Sequence, residues 1–127
     1  MNGKTVLLDS NICIYLSKEA LVATDILHPD DFVAISIITY METLGHKFEM
    51  AKEEQYLKGF YKTISILPVT DNIATLIIGY RKLRKIKLPD AILLATAREN
   101  NCKLVTSNVN DFINLDSQVE IINPFDK

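Results

Sequence analysis

The feature that most limits the fold is an alternation: short, continuous, partly β-branched apolar runs are separated by longer segments with helical spacing. Thr5 to Leu8 is the first such run and reads as a buried strand. Asn11 to Leu16 follows as helix, continuing through about Leu27. After a His28-Pro29-Asp30-Asp31 turn, Phe32 to Ile35 reads as a second strand. Helical spacing returns from Thr39 to Leu44 and, more strongly, from Met50 to Thr63. Ile64 to Val69 is a third apolar run, broken at Pro68. Thr70-Asp71 can cap a helix reaching about Lys85, with Ile73, Leu76, Ile77, Tyr80 and Leu83 on its inner face. Pro89 suits the start of another helix, running to about Glu99 before Asn100-Asn101. Lys103 to Val105 and a more peripheral Val119 to Ile122 complete the strands.

Strands alternating with helices imply parallel pairing through crossover helices. The expected fold is α/β, a three-layer α/β/α sandwich on a central, mainly parallel sheet of about four or five strands. With 127 residues, 48 % of them hydrophobic, the chain can bury a real core, and residues 1–127 are expected to form one domain. No apolar run approaches the roughly 20 residues that span a bilayer. Met1-Asn2-Gly3-Lys4 leads straight into the first strand, unlike a signal peptide. A soluble, cytoplasmic protein with no membrane partner is the expectation.

Cys13 and Cys102 lie far apart and, with His28 and His46, do not make a zinc-ligand set. Buried free thiols and turn or surface histidines are expected instead. The net charge of −2 argues against a general nucleic-acid coat protein. It leaves room for an enzyme that meets RNA through a local basic stripe.

Four acids fall at informative places. Asp9 directly follows the first strand, Glu42 sits just after the second, Asp90 stands at a helix start, and Asp111 follows the Lys103–Val105 strand. In a parallel sheet the strand carboxyl ends share one edge, where sites form. Each acid also has a plain structural explanation: a helix cap for Asp9, free N–H groups for Asp90, an exposed helical face for Glu42, a turn for Asp111. Against that, Asp9 and Asp90 stand in apolar surroundings, and Glu42 shares its helix with Ile38, Met41 and Leu44, so its face should border the core. Carboxylates converging without basic partners repel one another. A divalent cation, or protonation of some members, makes such a cluster sustainable. All-oxygen ligands suit Mg²⁺ or Mn²⁺, and the natural chemistry is phosphodiester hydrolysis.

Four segments, in order, resemble the PIN-domain family, and within it the VapC-type toxins of bacterial toxin–antitoxin pairs. They are Leu7-Leu8-Asp9-Ser10-Asn11, Glu42 after a Ser/Thr-rich strand end, Leu88-Pro89-Asp90-Ala91-Ile92-Leu93-Leu94-Ala95-Thr96-Ala97, and Leu104-Val105-Thr106-Ser107-Asn108 through Asp111-Phe112. The likeness covers nearly the whole chain. It implies a PIN-like fold and a Mg²⁺-dependent RNA endonuclease, with Mn²⁺ as the alternative ion. Asp9, Glu42 and Asp90 would be its metal-binding, catalytic acids. Ser10, Asn11, Thr106 and Asn108 match supporting polar positions. Many members carry Asp where this chain has Asn108, so the fourth acidic role passes to Asp111. That departure leaves one metal or two open. The resemblance also implies a homodimer and a cognate antitoxin.

Arg81, Lys82, Arg84, Lys85 and Lys87 form the densest basic stretch, just before Asp90. A solvated helix end explains it, and so do RNA phosphate contacts, assigned to Arg81, Arg84, Lys85 and Lys87. Tyr15, Tyr40, Tyr56, Phe60, Tyr61 and Tyr80 could stack bases but are more often core, and Phe60 and Tyr61 could meet a partner. Two other functions compete. One is a catalytically weak or inactive PIN-like module that binds RNA or protein. The other is an aspartate phosphotransferase with Asp9 as nucleophile, for which Asn11 stands where a second acid is wanted and Lys103 is a poor lysine.

Overall fold

The computed structural model describes residues 3–126. Five strands, β1 (Thr5–Leu8), β2 (Phe32–Ser36), β3 (Ser65–Leu67), β4 (Lys103–Val105) and β5 (Ile121–Ile122), form one sheet in the order β3-β2-β1-β4-β5. All four neighbouring pairs run parallel. The helices are α1 (Ser10–Ser17), α2 (Ala23–Ile26), α3 (Ile37–Leu44), α4 (Ala51–Tyr61), α5 (Asp71–Leu83) and α6 (Leu88–Glu99).

Successive strand residues point to opposite faces, and both faces are buried. Leu7, Ala34 and Leu104 face α5 and α6, where Ile73, Ile77, Tyr80, Leu94 and Phe112 complete one core. Val6, Leu8, Ile35 and Val105 face α1 and α4, joining Ile12, Cys13, Leu16, Leu57 and Tyr61 in a second. The result is the three-layer α/β/α sandwich. Helix α3 straddles the two layers: Ile38 packs on the first core, Tyr40 and Leu44 on the second. It therefore crosses the carboxyl edge of the sheet and carries Glu42 there.

Several sequence expectations shift. The helix expected through about Leu27 is interrupted: α1 stops at Ser17 and helix resumes only as the short α2. Glu19 takes a left-handed backbone (φ 62°), and the N–H groups of Ala20 and Leu21 turn back to the Tyr15 carbonyl. Leu83 is 74 % exposed because α5 ends there, making Tyr80 its last inward residue. Met41 is 55 % exposed, and the buried positions of α3 are Thr39 and Thr43. The fully buried positions of that helix are thus polar, flanked by the half-buried Ile38, Tyr40 and Leu44. Tyr61 is core, its hydroxyl 2.7 Å from Thr43 Oγ1, so it presents no surface to a partner. Cys13 and Cys102 are buried free thiols, and burial pushes them up to about 12 and about 11, which leaves them inert. Among the described residues no helix is long and apolar enough to cross a membrane.

Candidate active site

Strand register builds the site. Leu8 pairs with Val105, so the next residues, Asp9 and Thr106, emerge side by side from the central strands. The Asp9 N–H donates to the Val105 carbonyl at 2.9 Å. Thr106 Oγ1 donates to Asp9 Oδ2 at 2.7 Å, and itself accepts from the Asn108 N–H at 3.0 Å. Asp9 occupies the N-cap position of α1 yet makes no side-chain cap bond. Its carboxylate serves the sheet edge, and the simple capping explanation fails.

Next to it, Ser36 ends β2 and its hydroxyl caps α3 by accepting from the Ile38 N–H at 3.1 Å. That launches α3 along the sheet edge. Ser10 Oγ then lies 2.8 Å from Glu42 Oε1 and 3.2 Å from Thr39 Oγ1. Asp90 stands in the first turn of α6, half-buried, behind Pro89 and without a cap bond.

Asp9, Ser10, Asn11, Glu42, Asp90 and Asn108 line one cleft of about 280 Å³. Asp111, at the end of the 3₁₀ turn Val109–Asp111, lies in an adjoining cleft of about 310 Å³ with Lys85 and Lys87. Asp90 belongs to both. The structure thus joins the first three acids directly and reaches Asp111 through Asp90. Arg81 is exposed on α5 and lines neither cleft. Arg84 is occupied: its guanidinium donates to the carbonyls of Asp111 and Ile113.

The electrostatics agree with this grouping. Burial pushes the Asp9 carboxyl up; the Thr106 hydroxyl and Ser10 N–H pull it down, and the charges of Glu42 and Asp111 push it up again, for a net rise. Asp90 is raised by burial, then by Asp111 and Asp9, with Lys87 opposing. Among the described residues the ion pairs are Lys4–Asp31, His28–Asp30, Lys58–Glu54, Arg98–Asp116 and Lys103–Glu120, so none neutralises these acids. Lys103 is committed to Glu120, away from any role beside Asp9.

Among the described residues no group of three or more His, Cys, Asp or Glu side chains is placed to hold a metal ion. Asp9 and Glu42 are each held on a hydroxyl partner, Thr106 and Ser10.

Thr43 and His46 also line the first cleft and were not singled out from sequence. The signal was present, since Thr39, Glu42, Thr43 and His46 recur at helical three- and four-residue spacings. His46 lies just past α3, its ring packed edge-on against Phe48 at 5.1 Å.

No curated protein matches. The family model for the PIN domain matches residues 6–117. A chain of a toxin–antitoxin complex from Klebsiella pneumoniae is 33 % identical, with a TM-score of 0.74, over 94 % of this chain and 98 % of that one. Two further structures share the fold: VapBC2 from Rickettsia felis bound to a DNA fragment from their promoter (20 % identity, TM-score 0.77, 94 % and 98 % covered), and VapBC-1 from nontypeable Haemophilus influenzae (22 %, 0.73, 94 % and 98 %). With its sheet order, its edge of acids and a family match over most of its length, this chain belongs to the PIN domain family.

Proposed function

We propose that this chain is a divalent-metal-dependent endoribonuclease, the toxin of a toxin–antitoxin pair, with Asp9, Glu42, Asp90 and Asp111 holding Mg²⁺ or Mn²⁺. The family match and the toxin–antitoxin relative support a nuclease of the toxin kind. The observation that carries the reading is the gathering of acids from four separate segments along two adjoining clefts, with none of the ion pairs among the described residues engaging them. The donor chemistry fits a hard cation: every candidate ligand is a carboxylate oxygen, and neutral oxygens of Ser10, Asn11 and Asn108 surround them. When bound, such an ion neutralises the acids and polarises the phosphodiester.

The chain's own residues do the rest. Thr106 holds Asp9 in one orientation and Ser10 does so for Glu42. Asn11 and Asn108 offer amide groups to a phosphate in the cleft. Lys85 and Lys87, on the adjoining cleft, supply sequence-independent phosphate contacts, and Arg81 extends the basic stripe. A homodimer and a cognate antitoxin belong to the same proposal. An antitoxin arginine could replace the ion's charge against the acids. A weak or inactive binding module is the second reading, favoured by the neutral Asn108 on the cleft wall.

The test is purified protein, freed of antitoxin, incubated with total RNA in Mg²⁺ or in EDTA. Fragments with Mg²⁺ and intact RNA with EDTA support the nuclease; intact RNA in both leaves the binding module.

A further inference from the structure

Arg84 follows α5 in extended backbone (φ −162°, ψ 167°), where the chain leaves the helix. Its Nη2 donates to the Asp111 carbonyl at 2.7 Å and its Nη1 to the Ile113 carbonyl at 2.8 Å. One planar fork therefore spans two carbonyls on either side of Phe112. That ring is fully buried in the core shared with α5 and α6. The segment is pinned twice, from inside by Phe112 and from outside by Arg84. Arg84 and Asp111 both line the cleft that ends at Asp90.

Resting on the nuclease reading above, we propose that Arg84 is a positioning residue: by clamping the carbonyls of Asp111 and Ile113 it sets the Asp111 carboxylate beside Asp90 and so brings the fourth acid to the ion site. The guanidinium suits this task because its two donors are fixed in one plane, which a lysine ammonium cannot reproduce. Arg84 is thereby withdrawn from phosphate binding, leaving that role in the second cleft to Lys85 and Lys87. It also explains how an acid on a short exposed turn can hold a defined place. The turn's own bonds, from the Asp111 N–H to the Asn108 carbonyl and from the Phe112 and Ile113 N–H groups to the Val109 carbonyl, all at 3.0 Å, fix its local shape, and Arg84 fixes where that turn sits against the end of α5.

The test is a double-mutant cycle on Arg84→Gln and Asp111→Asn, read by calorimetric Mn²⁺ binding without RNA and by thermal melting. Each single substitution is expected to weaken ion binding by roughly 10- to 100-fold. The double variant should bind no worse than the weaker single, because Arg84 acts through Asp111. Arg84→Lys, which retains charge but can serve only one carbonyl well, should fall between wild type and Arg84→Gln. A lower melting temperature with unchanged Mn²⁺ affinity, or losses that multiply in the double variant, overturns the clamp while leaving the nuclease intact. Absence of Mn²⁺ binding by wild type, together with uncut RNA, overturns both.

Discussion

Thr106 Oγ1 donates to Asp9 Oδ2 at 2.7 Å, joining two side chains 97 residues apart at adjacent strand ends. The bond is buried and gives Asp9 its orientation without adding charge. Thr106→Val keeps the shape and deletes the donor. Loss of a partner from a buried polar group costs about 1–3 kcal/mol, and loss of a group orienting a metal ligand costs roughly 10- to 100-fold in activity. Denaturant unfolding and RNA cleavage should both register the change, and Thr106→Ser should restore most of each. Full activity in the valine variant would remove Thr106 from the site.

Asp9 and Asp90 should make the ion-free protein less stable as pH rises. Both carboxyls are raised in the folded state, chiefly by burial and then by neighbouring acids. A raised folded-state value means that this stabilisation is complete below the unfolded value and is lost as pH rises through the folded one. Asp9→Asn should therefore raise the melting temperature at pH 7 without ion, on the order of a few degrees, with the gain vanishing near about pH 4. Mg²⁺ should raise the melting temperature of wild type and leave Asp9→Asn nearly unmoved. Asp116 has the opposite sign: burial pushes it up, but the Tyr80 hydroxyl, the Gln118 N–H and Arg98 outweigh that and hold it low. Its contribution is lost as pH falls.

Lys85→Glu combined with Lys87→Glu should weaken RNA binding at low salt and flatten its salt dependence. Each phosphate contact removed takes about 0.7–0.9 from the slope of log K against log salt. Filter binding in EDTA measures this without cleavage. An unchanged slope would assign the basic stretch to solvation of the α5 end.

The parts of the fold legible in the sequence were those where hydrophobic pattern and chain geometry agree. β1 and β4 occupy the same residues as their apolar runs, because beyond their half-buried first residues, Thr5 and Lys103, these central strands are covered on both faces and hold only apolar side chains. The end of α6 was legible through Asn101, which takes the left-handed backbone (φ 54°) that asparagine tolerates. The break after α1 was not, since Glu19 adopts that conformation with no glycine or proline to mark it. Glu42 lines the first cleft but does not border the core as its neighbours suggested: it is exposed, and its helix buries threonines, not Met41. Those threonines meet Ser10 and Tyr61, polar partners invisible to a periodicity argument. The Arg84 clamp was equally hidden, since carbonyl acceptors leave no mark in a sequence.

The most direct measurement is the initial rate of RNA cleavage by wild type, Asp9→Asn and Asp90→Asn, each shown to be folded, in Mg²⁺ and after EDTA. Acids that hold a catalytic ion predict rapid cleavage by wild type in Mg²⁺ alone and a drop of at least about 100-fold in both variants. Equal rates in all three proteins, or cleavage that survives EDTA, would contradict a metal-dependent nuclease built on Asp9 and Asp90.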